Sequence, residues 1–152
     1  MFQEQRGNMN EQKVLIIDDE SMNHDNIKDA LSNLDYEIIS TYNADEGLML
    51  FQIHKPQIVL LDLRMPGKDG IELLERLEPE PDSHFAVIII SGFGTDDDIK
   101  KCYELNASAF LHKPFSKIEV NSLVKNLMQS VNFKVEVEIL KRELDDLNRN
   151  HR

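Results

Sequence analysis

Three acids, a hydroxyl and a lysine stand where apolar runs of this chain stop. Asp18 and Asp19 follow the run at residues 14–17, Asp62 follows residues 58–61, Ser91 follows residues 85–90, and Lys113 lies just past residues 107–111. If the ends of those runs meet in space, the acids repel one another and each raises its neighbours' pKa unless a cation joins them. Oxygen ligands of this kind suit a hard divalent ion such as Mg2+. Lys113 then supplies a point charge able to hold an anion brought to Asp62, and Ser91 offers a hydroxyl donor to the same anion. A carboxylate that attacks a phosphoryl group needs positioning and charge neutralisation more than covalent help. This set of side chains supplies both. Glu20, the next acid along, is read as a cap or a solvated side chain.

Short, nearly uniform apolar runs alternate with helical spacing along the chain, and these elements must position the polar set. Residues 14–17 read as a strand buried on both faces. Ile27, Ala30, Leu31 and Leu34 give a helix, and residues 36–41 a second strand. Asn43 is a cap for a helix bearing Ala44, Leu48 and Phe51, and Pro56 precedes the strand at 58–61. A turn at 67–70 leads into a helix with Ile71, Leu74 and Leu77 on one side. Residues 85–90 form the fourth strand. Thr95 caps a helix with Asp96, Asp97 and Asp98 in its first turn, where negative charge complements the helix dipole. A fifth strand is expected at 107–111 and a last helix from near Ser116. Five such strands and five helices predict an α/β fold, a parallel sheet covered by helices on both faces. Ligands in such folds bind beyond the carboxyl ends of the strands, where the polar residues above fall.

Four motifs in this order carry a family resemblance: Ile-Ile-Asp-Asp-Glu at 16–20, Asp-Leu-Arg-Met-Pro-Gly-Lys-Asp-Gly at 62–70, Ile-Ser-Gly at 90–92 and Lys-Pro-Phe at 113–115. From about residue 13 to 128 the chain resembles a bacterial response-regulator receiver domain of the chemotaxis-regulator kind. The resemblance implies a flavodoxin-like, doubly wound five-stranded parallel sheet of order 2-1-3-4-5. It implies phosphorylation of Asp62 by a sensor histidine kinase or a histidine phosphotransfer protein, making the domain a signalling switch that helps catalyse its own modification. Mg2+ would be held by Asp19, by Asp18 partly through water, by an Asp62 oxygen and by the backbone carbonyl of Arg64. Ser91 and Lys113 would hold the phosphoryl oxygens, and Phe110 would be the aromatic switch that turns inward as Ser91 moves. Arg64 and Phe93 would flank the phosphoryl group, and the Lys113–Pro114 peptide would be cis.

The 152 residues suit one globular core with an appendage. Residues 1–12 are polar and aperiodic, residues 13–130 make the receiver unit, and 131–152 a helical extension leading to an output domain outside this chain. In that extension Phe133, Val137, Leu140, Leu144 and Leu147 step by four, three, four and three, an a/d seam that predicts a homodimer through the C-terminal helix; the alternative is that the stripe packs back on the domain. The net charge is −11, and residues 131–152 carry five cations against five acids. The excess therefore lies in the first 130 residues, which argues against direct nucleic-acid binding and suits a cation or a basic partner. No apolar run is long enough for a membrane span, and a cytoplasmic location is expected. The single cysteine, Cys102, is expected to be buried filler. The five histidines show no ligand spacing and are expected at the surface.

Two enzyme or cofactor classes fit poorly. A haloacid-dehalogenase-like phosphatase needs a second Asp two residues after its nucleophile, where this chain has Arg64. A flavodoxin needs a phosphate loop after the first strand, where Asp18, Asp19 and Glu20 would repel the ligand. A pseudo-receiver that only binds a protein partner remains the alternative, though all five site residues are present.

Overall fold

A computed structural model describes residues 11–65, 68–92 and 94–151. The chain runs β1 (Lys13–Ile17), α1 (Ser21–Ala30), β2 (Glu37–Thr41), α2 (Ala44–His54), β3 (Ile58–Asp62), β4 (Arg64–Met65), β5 (Lys68–Asp69), α3 (Gly70–Leu77), β6 (Ala86–Ser91), α4 (Asp96–Glu104), β7 (Ala109–His112) and α5 (Lys117–Asn150). Five strands form one parallel sheet in the order β2-β1-β3-β6-β7, which is 2-1-3-4-5 when only the sheet's own strands are counted. The doubly wound fold expected from the sequence is the one observed.

Strand side chains alternate between the two faces, and this period of two divides the core. Val14, Ile16, Ile58, Leu60, Ile88 and Ile90 point toward α1 and α5, where they meet Ile27, Leu31, Val120, Val124 and Met128. Leu15, Ile17, Val59, Leu61, Val87 and Ile89 point the other way, toward Leu73, Leu74, Leu77 and Cys102. β1, β3 and β6 read as unbroken apolar runs because both faces are covered. β2 lies at the sheet edge and is only half-buried except at Thr41.

Several expectations are adjusted. Strand β7 starts at Ala109 rather than 107: Asn106 is left-handed (φ 66°), and the Ala107 amide donates back to the Cys102 carbonyl, so these residues still close α4. After Asp62 the chain makes a two-stranded hairpin, Arg64 pairing with Asp69 and Met65 with Lys68, that no periodicity announced. The expected turn at 67–70 falls partly, at Gly67, outside the described residues, as do Phe93 and most of the expected leader. Helix α5 is unbroken for 34 residues. Among the described residues no helix is long and apolar enough to cross a membrane.

Candidate functional site

Asp18 directly follows β1, Asp62 and Ser91 end β3 and β6, and Lys113 directly follows β7. Because these strands are parallel and in register, their ends lie side by side at one edge of the sheet. Backbone bonds extend that alignment past the strands: the Leu63 amide donates to the Ile90 carbonyl and the Lys113 amide to the Ser91 carbonyl. Gly70 closes the edge from behind. A Cβ there would lie 2.6 Å from the Asp62 carbonyl oxygen and 2.7 Å from the Leu63 Cα, so only glycine lets the start of α3 come this close to the end of β3.

Asp18, Asp19 and Asp62 each offer a carboxylate oxygen within 4.8 Å of the others. Asp18 and Asp62 are almost wholly buried, and the Lys113 Nζ lies 3.3 Å from one and 3.4 Å from the other. Burial pushes the Asp62 pKa up to about 6; the Asp18 charge and the Asp19 carboxyl add to the rise, while the Arg64 amide and Lys113 oppose it. Burial works against the Lys113 ammonium, but Asp18 and Asp62 outweigh it and raise its pKa. One lysine against three acids leaves a negative surplus. Asp19 Oδ1 is buried and has no hydrogen-bond partner. A divalent cation with oxygen preference fits this donor set: it would satisfy the orphaned Asp19 oxygen and cancel the surplus. The cleft above the site, about 550 Å3, is lined by Asn23, Asn26, Arg64, Ser91, Lys113 and Phe115 among others.

Two residues that sequence reasoning did not assign hold Asp18 in place. The Asn23 side-chain amide donates to both Asp18 carboxylate oxygens, at 3.3 and 3.1 Å. His24, expected at the surface, is 1% exposed, and its Nε2 donates to the Asp18 carbonyl oxygen at 2.7 Å. The ring also lies against Tyr42, with centroids 4.5 Å apart. The surface expectation is therefore wrong for His24: it sits on the buried face of α1 with Ile27, where lack of ligand spacing gave no hint of it. Glu20 is exposed and occupies the N-cap position of α1 without a side-chain capping bond.

Phe110 is half-buried against the α3 and α4 side of the sheet, and its ring lies so close to Gly94 that a Cβ there would meet Cζ at 2.7 Å. Arg64 points to α4, with its guanidinium 3.5 Å from Asp98. Lys113–Pro114 is cis, as the resemblance implied. Cys102 is buried, and burial first, then the charges of Asp98 and Asp69, push its thiol up to about 11. It is inert filler.

The response regulator receiver domain family matches residues 14–125. The chain belongs to that family. It is 33% identical over 120 residues to sporulation initiation phosphotransferase F of Bacillus subtilis, covering 79% of this chain and 95% of that protein. It is 31% identical over 121 residues to the probable transcriptional regulator ycf27 of Cyanophora paradoxa, covering 80% of this chain but only 50% of that protein. This receiver thus spans about half the length of such regulators. Among solved structures, the signal receiver domain of the putative Luxo repressor protein from Vibrio parahaemolyticus superposes with a TM-score of 0.79 at 22% identity, covering 85% of this chain and 98% of that one. NtrX from Brucella abortus superposes with a TM-score of 0.75 at 26% identity, covering 86% of this chain and 30% of that one. The chain is thus a signalling receiver domain of the two-component response-regulator kind.

Proposed function

We propose that this receiver accepts a phosphoryl group on Asp62 from the phosphohistidine of a sensor kinase or a histidine phosphotransfer protein. An Asp62 carboxylate oxygen attacks phosphorus, the P–O bond forms as the P–N bond breaks, and the imidazole leaves with the bonding pair and takes a proton from solvent. Lys113 sits between Asp18 and Asp62 and is placed to pair with a phosphoryl oxygen once one arrives. Ser91, buried at the end of the neighbouring strand, offers its hydroxyl to the same group. Asp18, Asp19, Asp62 and the Arg64 carbonyl would hold Mg2+, which supplies the positive charge that makes crowded carboxylates and an incoming phosphate compatible. Water later cleaves the P–O bond and returns the carboxylate.

The observation that supports this reading above the others is the clustering of three acids within 4.8 Å, one with an orphaned buried oxygen, against a single lysine. A purely protein-binding pseudo-receiver has no need of that surplus. Phosphorylation would favour one of two arrangements of the Ser91 loop, α4 and Phe110, by bonding better to one than the other. Helix α5 would carry the change to an output domain, in the cytoplasm. Incubation with acetyl phosphate and Mg2+ followed by intact mass is expected to show one base-labile phosphoryl adduct, lost in Asp62→Asn and in EDTA. Labelling of Asp62→Asn at the wild-type rate would overturn the assignment.

A further inference from the structure

The turn between α3 and β6 ties two helices together at the amino end of the sheet. Residues 80–83 close on themselves: the Ser83 amide donates to the Glu80 carbonyl at 3.0 Å, and the Glu80 amide to Ser83 Oγ at 2.8 Å. On one side, the Asn106 side-chain amide, just past the end of α4, donates to the Pro79 carbonyl at 3.0 Å. On the other, the Lys134 Nζ donates to the Pro81 carbonyl at 2.8 Å, and His84 Nε2 is bonded to the Glu138 carboxylate. Lys134 and Glu138 both stand on α5. A turn closed by its own bonds moves as one piece, so it passes a shift of one helix to the other.

Direct packing supplies little of that link. The main neighbours of α5 are α1, β3 and β6, and that of α4 is α3. Where α5 meets His84, two grooves flank it. One, about 890 Å3, is lined by Phe51, Phe85, Ile139 and Leu140 among others, the second, about 350 Å3, by Asp82, Phe133 and Val137 among others, and His84 lines both. Close packing fixes an element in one place. Open space on both sides leaves the direction of this stretch to its polar contacts with the turn. Those contacts are exposed, where each contributes little, so the tie is one that can slip and re-form. Helix α4 begins close behind Ser91, at the polar edge, and ends beside this turn.

We infer that the turn at 79–84 is a coupling bracket: it sets the direction of the outgoing half of α5, and it delivers a displacement of α4 to that half without using the base of α5. The delivery rests on the proposed rearrangement of α4 on phosphorylation; the holding does not.

Spin labels on Glu46→Cys in α2 and Arg149→Cys near the end of α5, in a chain whose native cysteine is buried, give a distance distribution between body and extension. Dilution with unlabelled chain confines the reading to one molecule. Lys134→Met with His84→Ala should roughly double the width of that distribution in the unmodified protein, and Lys134→Arg, which keeps a donor, should leave it narrow. Acetyl phosphate with Mg2+ should shift the wild-type mean by a few ångströms. Asn106 has φ 66°, so Asn106→Gly keeps the left-handed backbone and removes only the amide; it should abolish the shift while intact mass shows a full adduct. An unchanged width in the Lys134 and His84 double variant overturns the bracket. A full shift in Asn106→Gly, or none in fully modified wild type, overturns the delivery. Absence of any adduct on wild type defeats the phosphorylation reading and the delivery with it, and the widths of the unmodified proteins still decide the holding.

Discussion

At the scale of single residues, Asp62 ties the chemistry of the site to its stability. Its carboxyl ionises near 3.8 in an unfolded chain and near 6 in the folded one, so between those values the folded protein holds the extra proton. Stability of the metal-free domain therefore falls as pH rises from about 4 to 6 and stays low above. Asp62→Asn abolishes this contribution and should stabilise the metal-free domain at pH 7 by roughly 2 kcal/mol, read from urea unfolding at several pH values. Added Mg2+ should stabilise wild type more than the variant. His24 lends itself to a second test. His24→Leu removes the donor to the Asp18 carbonyl, and should cost about 1–3 kcal/mol and weaken Mg2+ binding, while His24→Gln, which keeps an N–H, should recover part of both. Equal losses in the two variants would show that ring packing, not the hydrogen bond, is what matters. The five proposed site residues were legible because each closes an apolar run. His24 and Asn23 were not, because they act from inside a helix; the one available signal was that His24, Ile27 and Leu31 step by three and four, which puts the histidine on the buried face.

At the scale of elements, α4 is held at its first turn. Thr95 Oγ accepts from the Asp98 amide, the Asp98 carboxylate accepts from the Thr95 amide, and Arg64 approaches the same carboxylate from the hairpin that follows Asp62. The Thr95 bonds hold the Asp98 pKa below its ordinary value, with Arg64 adding to that. Exposed ion pairs contribute little, so the capping box should dominate. Thr95→Ala is expected to cost about 1 kcal/mol and to speed amide exchange across Asp96–Glu104, whereas Arg64→Ala should have a much smaller effect. If the two substitutions loosened α4 equally, the hairpin would be as important as the cap. The caps at Asn43 and Thr95 could be read from sequence because a small polar residue before a periodic run has one common use. The hairpin could not: two-residue strands have no period, and their pairing depends on the close approach that Gly70 permits.

Across the whole molecule, the polar edge of the sheet and the outgoing part of α5 lie at opposite ends. Gln12, Gln57 and Phe85, each beside the start of a strand, line the groove next to Val135 and Ile139, while Asp62 and Ser91 end theirs. A chain truncated after Ser130 is therefore expected to be labelled by acetyl phosphate at close to the full-length rate. Slow labelling of the truncated chain would mean that the extension reaches the chemistry. Sheet order and helix placement followed from alternation of pattern alone, and the long helix from the absence of glycine and proline after Ser116. How far along that helix the packing on the body extends did not follow, since apolar residues continue past the buried Val131 without a break in pattern.

The unbroken length of α5 has a mechanical consequence. Thirty-four residues make a rod of about 51 Å, and its base begins four positions beyond Lys113. A tilt of some 5° at that base would sweep the far tip by about 4 Å, a larger travel than any side chain in the pocket need make. A lever of this kind would turn a small tilt at its base into a displacement of several ångströms at its far end.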